Sequence, residues 1–398
     1  MEKDDKNIQE EKDIFFPEGY CHECLQCGKC CRNWQIVIDK NKYQQLINTP
    51  FILKMKKKFP ESDMVKFYSD QEVGVLGEIN NNCIMLDDNL CMIHSEMGCD
   101  FKPDVCRKFP FVLTSTPDGI YAGVSYHCLS IQRNKGIRVS EYIQDIKKLL
   151  ETFKPKYQAD NIIKLTDNIS VTWEGYLFLE KQLTDWVDTT GVSDATWKMM
   201  GMIISLGIIG ENIGDKAISV NEMENLLSSP PLPPLKRERW FHEYQFEYAS
   251  SILSILELWA GSMEERNADI ILKGGSLQSD SFEKEIEIKP IEEYVKSHLQ
   301  EEFQTEFDKY VKHLLWRKYL LTYDTVFTGL VTVNFLPIFF MWYANASLTA
   351  RDGREMEMDD VKTTLGLLDL YFHHLRLLGR FFRRFGKGLI DQHEILMR

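Results

Sequence analysis

The sequence predicts a mainly α-helical protein in which a small cysteine-rich α+β metal module precedes a large α-helical region. Three observations carry that expectation. All ten cysteines fall between Cys21 and Cys128, so roughly the last two thirds of the chain has none. From about residue 138 onward, apolar residues recur at helical spacing. With 398 residues and a 44% hydrophobic fraction, the chain can bury a core without covalent staples, so its cysteines need a chemical explanation. Boundaries are expected to give segments 1–135, 136–235 and 236–398.

Residues 1–18 read as a flexible acidic lead-in. The first seven residues, Met-Glu-Lys-Asp-Asp-Lys-Asn, hold no apolar signal region, and a cytoplasmic protein is expected. After the first cysteines, 34–38 reads as a short strand and 39–59 as a helix with a Lys-rich exposed face. A hairpin is expected over 71–86, with Gly74 and Gly77 near its turn. Pro103 suits the first turn of a short helix carrying Cys106, and Pro110 stops it. A second hairpin over 111–128 turns at Pro117-Asp-Gly119.

Helices are expected over 139–153, 171–189, 194–210, 219–228 and about 236–260. The proline-rich run 228–234 reads as a stiff linker. Residues 273–290 combine glycine, serine and a charge run and read as a surface loop. Long helical patterns follow at 291–323, 324–349 and 358–385. The window Thr325–Ala350 carries no charge and is long enough to span a bilayer. It also holds Pro337, Asn334, Asn345 and Gly329, whereas spans are usually more purely aliphatic. A helix pair buried at the centre of the helical region is therefore expected, with no membrane partner; a single span is the alternative.

The net charge of -13, with 60 acidic against 47 basic residues, steers the protein away from nucleic acid and anionic membrane surfaces. Without export, dense cysteines point to metal rather than disulfides. Cys24, Cys27, Cys30 and Cys31 form a CxxCxxCC array, and Cys83, Cys91, Cys99, Cys106 and Cys128 follow. Thiolate is a soft anionic ligand suited to zinc and iron–sulfur clusters. A CxxC pair brings two sulfurs of one turn to the same metal, and Gly28 permits the backbone such a knuckle needs. Adjacent Cys30 and Cys31 are expected to point different ways, bridging two metals or serving neighbouring sites. The thiols exceed one tetrahedral site, which fits two four-coordinate sites or one cluster plus a second metal, with Cys21 and Cys99 accessory.

Cys24-Leu-Gln-Cys27-Gly-Lys-Cys30-Cys31, Cys83, Cys91-Met-Ile-His94 and Lys102-Pro-Asp-Val-Cys106-Arg-Lys-Phe-Pro110 resemble the bacterial cysteine-cluster family of zinc- or iron-chelating proteins. Its long members with a helical C-terminal region resemble flagellin lysine-N-methylases, and this chain is similar to them in length and character. The resemblance implies an iron–sulfur enzyme that moves a methyl group from S-adenosylmethionine to lysine ε-amines of a protein substrate such as flagellin. It implies Cys24, Cys27, Cys30, Cys31, Cys83, Cys91, Cys106 and Cys128 as ligands. Cys83-Ile-Met-Leu departs from the Cys-Pro-Phe-Leu common in that family. His94 stands where Tyr is frequent there, which makes it a candidate ligand or proton carrier. No G-x-G-x-x-G follows a strand, so the methyl donor has no familiar site. A non-enzymatic zinc or iron module with a partner-binding helical region is the alternative.

Arg107, beside Cys106, is a candidate cation for a negative cluster or for the donor's carboxylate, or else a salt-bridge partner on its own helix. His22, Glu23 and His127 are candidate second partners of the thiols, with solvent-facing positions expected for His22 and Glu23. Trp173, Tyr176, Trp186 and Trp197 read as core aromatics rather than a wall of the site, and nothing singles out Glu174. Arg376, Arg380, Arg383 and Lys387 form a basic face opposite Leu375, Leu378, Phe382 and Phe385, as a helix covering the core would.

Overall fold

A computed structural model describes residues 13–32, 35–79, 82–210, 217–228, 237–257, 265–279, 281–296, 299–353, 355–374 and 376–391. The chain divides into two compact units. One comprises Phe16–Val112 with Ala122–Lys156, and the other Met1–Phe15, Leu113–Tyr121 and Tyr157–Arg398. All ten cysteines belong to the first, and the long helices to the second. The sequence placed its first boundary at 135; the second, at 235, lies outside the described residues.

In the cysteine unit the Lys-rich stretch forms two helices, Lys40–Ile47 and Pro50–Lys58, rather than one. The break is chemical. Thr49 caps the second helix by accepting from the Ile52 amide, and Pro50 follows at its first position. Val37–Asp39, Val73–Leu76 and Val65–Tyr68 form a three-stranded antiparallel sheet with the middle strand in the centre. Gly74 therefore lies inside a strand and not at a hairpin turn. A Cβ there would meet Ile38 Cγ1 at 2.9 Å, so the missing side chain lets the sheet close on its own core. Ile38, Leu46, Ile52, Met55, Leu76, Met85 and Ile93 fill that core, which also takes in Cys83. Asp104–Lys108 is the expected short helix; the expected hairpin, Phe111–Thr116 with Gly119–Val124, has its Leu113–Tyr121 portion assigned to the second unit. The expected 139–153 helix is a 3-10 turn, Val139–Tyr142, leading into Ile143–Leu150.

The second unit is helical, with Trp173–Thr190, Val192–Gly210, Val220–Ser228 and Arg237–Glu257 close to expectation. The expected central helix pair is one helix, Val326–Ala350, with Pro337 inside it. It is long and apolar enough to cross a membrane by length and composition, but 94% of its apolar window is buried inside the structure. Asn334 is accommodated there by donating to Ser193 O (3.0 Å) and Thr196 Oγ1 (2.7 Å). The stretch expected as a surface loop is a hairpin, Gly275–Ser279 with Lys284–Ile288. Its charges alternate with Leu277, Ile286 and Ile288, which are buried, so what looks like a charge run is a strand's solvent face. The 291–323 pattern breaks into Ile291–Lys296, Glu301–Trp316 and a 3-10 turn, Tyr319–Thr322, with Lys318 at φ 65° between the last two. The 358–385 pattern forms two helices, Met358–His374 and Arg376–Asp391. Phe382 and Phe385 are buried there while Arg380, Arg383 and Lys387 are exposed; Leu375 lies outside the described residues.

Buried charges in this unit meet partners from distant segments. Arg317 and Asp369 pair at 2.7 Å, 2% and 0% exposed. Lys318 pairs with Glu180, which also accepts from Tyr176 Oη at 2.6 Å. Glu257 is buried against the Ser279 and Ser281 hydroxyls. Removing one partner of such a pair strands the other in low dielectric. Asp369→Ala is therefore expected to destabilise the protein by about 3–5 kcal/mol in urea unfolding. Burial, the leading cause, raises the Glu257 carboxyl above its ordinary value of 4.5, against the pull of Ser279 and Ser281. Its contribution is thus fully present below pH 4.5 and lost as pH rises through the raised value. Glu257→Gln should then gain on the wild type as pH rises from there to neutrality, read from urea midpoints across pH.

Candidate metal centre

The CxxCxxCC array is held mostly by turns. After irregular backbone, Gly28 takes φ 67° and the chain enters a 3-10 turn, Lys29–Cys31. A Cβ at Gly28 would meet Asn89 Oδ1 at 3.1 Å and Asn89 Cα at 3.3 Å, so this approach as well as the φ calls for glycine. The turn places Cys30 Sγ and Cys31 Sγ 4.0 Å apart. The expectation that these neighbours diverge is corrected: the tight 3-10 turn aims both into one cavity. Two thiolates sharing a tetrahedral zinc at about 2.3 Å lie about 3.8 Å apart, close to that separation.

Three further cysteines reach the same cavity from short elements. Cys83 ends the strand Asn82–Cys83, paired with Glu78–Ile79. Cys91 ends Leu90–Cys91, paired with Leu86–Asp87 across a tight turn. That turn is Asp88-Asn89, at φ 44° and 63°, the two-residue hairpin that suits Asp and Asn. Cys106 lies on Asp104–Lys108. Cys30, Cys31, Cys83, Cys91 and Cys106 line a cavity of about 20 Å³ together with Lys102 and apolar groups such as Leu76 and Met85. A space of that size accommodates a single water-sized occupant.

Charge at the cavity is tightly rationed. The Cys31 thiol donates to Cys30, which brings Cys30 down to about 7 despite burial, with Lys102 assisting. Cys31 is held far above the ordinary thiol range by that same bond, by burial and by the nearby Cys30, Cys83 and Cys106. Burial pushes Cys83 up to about 12, and Cys91 and Cys30 add to it. Burial likewise raises Cys106, against the pull of Lys102. Burial would lower Lys102, yet the thiolate charge of Cys106, Cys91, Cys99 and Cys30 outweighs it and keeps its ammonium above the ordinary value.

The other candidates lie elsewhere. Cys24 is exposed, Cys27 half-buried and Cys128 buried, and none of them lines this cavity. Cys21 stands on the strand Cys21–His22, and exposed Cys99 begins the 3-10 turn Cys99–Phe101. His94 is exposed on Met92–Met97. Arg107 is held by Asp104 at 3.2 Å and Asp100 at 3.7 Å. Trp173 and Tyr176 stack at 5.4 Å in the core of the helical unit, where Trp197 is buried too; Glu174 is exposed. The cation at the cavity, Lys102, was passed over in the sequence. Its only signal was its place one residue before Pro103 at the start of the Cys106 helix.

Among the described residues, no three His, Cys, Asp or Glu side chains are close enough to clasp an ion as they stand. The donor set nonetheless fits a thiophilic metal. Five cysteines line one small cavity, and the sulfurs of two of them already hold a shared-ion separation.

Fold and site together define a thiol-rich module of short turns and strands, carried on a chain whose second unit is helical. Residues 23–136 match the CxxCxxCC family model, described as a "Putative zinc- or iron-chelating domain". That match supports metal binding, by zinc or iron, and the kinship of this module with the cysteine-cluster family. An uncharacterized protein of Methanocaldococcus jannaschii is 27% identical over 168 residues, covering 39% of this chain and 56% of that protein. The chain thus spans little more than half the length of this relative. No solved structure matches.

Gly28→Ala is expected to strain the array by about 1–2 kcal/mol, because an alanine must take the left-handed region there. Mass-spectrometric mapping of iodoacetamide labelling should show faster modification of Cys30 and Cys31.

Proposed function

We propose that Cys30, Cys31, Cys83, Cys91 and Cys106 bind zinc or iron at the cavity, with Lys102 offsetting part of the thiolate charge. The observation that carries this reading is the convergence of five cysteines from four separate segments on one small desolvated space. A bound cation would supply the positive charge the clustered thiols lack and would tie short elements together, as structural metals do. Cys83→Ser and Cys106→Ser are each expected to lose most bound metal in elemental analysis. Full metal content in both variants would overturn the reading.

A finer reading follows from the resemblance to flagellin lysine-N-methylases. In it the centre is an iron–sulfur cluster, the donor is S-adenosylmethionine, and the substrate is a lysine-bearing protein such as flagellin, met in the cytoplasm. The cysteine spacing and the large helical unit support it. Anaerobic purification should then yield brown protein containing iron and acid-labile sulfide, and labelled methyl groups should pass from S-adenosylmethionine to flagellin lysines. Colourless protein with stoichiometric zinc, or iron without methyl transfer, would leave the chelating module alone.

A further inference from the structure

The helix Arg376–Asp391 runs against the charge of its own chain. No Asp or Glu occurs from residue 376 to 388, whereas the whole chain stands at -13. Arg380, Arg383, Arg384 and Lys387 are exposed on it. Spaced i, i+3, i+4 and i+7, they fall on one helix face about 10 Å long. Phe382 and Phe385, on the opposite face, are buried. Arg383 is already answered, by Asp324 at 2.8 Å and Asp167 at 3.0 Å. Among the described residues, Arg380, Arg384 and Lys387 form no ion pair.

Both edges of this face offer more than charge. On one edge Tyr248 is 37% exposed, its ring 5.4 Å from that of half-buried Phe381 and 5.0 Å from that of Phe385. Tyrosine and arginine side by side are the residues that dominate binding hot spots. On the other edge Arg383 and Lys387 border a cavity of about 100 Å³, lined also by Thr166, Asn168 and Thr325. Asp167 lines it too, but is engaged by Arg383, so Lys387 is the cation left for an incoming group. Thr166 Oγ1 accepts from the Asn168 and Ile169 amides at 3.3 and 3.2 Å, which leaves its proton to donate. The space holds several water-sized positions, enough for the end of an acidic side chain.

We propose that this face docks an acidic segment of a partner protein, its carboxylates set against Arg380, Arg384 and Lys387 and an apolar side chain against Tyr248 and Phe381. Charge complementarity selects the occupant. A stripe about 10 Å long matches two turns of a helix carrying carboxylates on one side. Duplex nucleic acid or an anionic bilayer extends far beyond such a stripe and meets the net negative charge of the rest of the protein. The surface lies wholly within the helical unit and stands apart from the metal reading.

The test uses full-length protein and a fluorescein-labelled amphipathic peptide with glutamates at i, i+4 and i+7 and leucines beside them, followed by fluorescence anisotropy. Binding should weaken with added salt. Arg384→Glu and Lys387→Glu are each expected to weaken it about tenfold at an unchanged urea midpoint, because like charges then face each other. Lys181→Glu, on an exposed lysine of another helix, should leave binding as it is. The same peptide with glutamine in place of glutamate should not bind. Absence of binding, equal binding of the glutamine peptide, or undiminished binding by both charge-reversed proteins overturns the proposal. So does tighter binding of single-stranded DNA, or of phosphatidylserine–phosphatidylcholine vesicles, that is lost in the same variants.

Discussion

Repulsion between crowded thiolates governs the cysteine unit. Two unit charges 4 Å apart interact by about 4 kcal/mol at the effective dielectric of a protein. Ionising both Cys30 and Cys31 would meet that penalty before any cost of burial is added. Burial and the neighbouring thiols push Cys31, Cys83 and Cys106 up, whereas the Cys31 thiol and Lys102 bring Cys30 down. A divalent cation would remove the repulsion at its source, because each sulfur could then ionise toward the metal rather than against its neighbours.

The same constraint explains the architecture around the cavity. Cys83 and Cys91 ride two-residue strands, Cys106 a five-residue helix, and Cys30 and Cys31 a three-residue 3-10 turn. Elements so short have little intrinsic stability. Their positions come from turns with positive φ, at Gly28 and at Asp88-Asn89, and from the apolar core beneath them. Such a scaffold gathers sulfurs loosely enough to admit an ion, and an ion would in turn supply the cross-links that short strands lack.

Much of this was legible in the sequence because helical periodicity survives in long amphipathic segments. It failed where the period was masked. The Lys284–Ile288 strand alternates charge with isoleucine and passed for a charged loop. The helix Val326–Ala350 is apolar on every side, so no face marked it as one element rather than two. At the site, the spacing of the cysteines marked candidate donors but not which of them line one cavity. That depends on where the 3-10 turn aims Cys30 and Cys31, and on the short paired strands that carry Cys83 and Cys91. Gly28 was legible as the knuckle's permissive residue, but long-range pairing cannot be read from residue spacing. Lys102 escaped notice for a similar reason: a lysine beside a proline looks like any surface loop.

Charge balance separates the two units. In the helical unit two buried cations are answered by the protein itself: Arg317 by Asp369 and Lys318 by Glu180. At the cysteine cavity five ionisable sulfurs share a wall with one lysine, so full ionisation would leave an excess of negative charge that nothing lining the cavity can neutralise. A stable fold gains nothing from such an imbalance, since apolar residues of the same volume would pack as well without it. Soft anionic donors exceeding the local cations, set around a space for a single occupant, are what a chelating site requires before its metal arrives. The deficit of positive charge thus bears on function more directly than any single distance does.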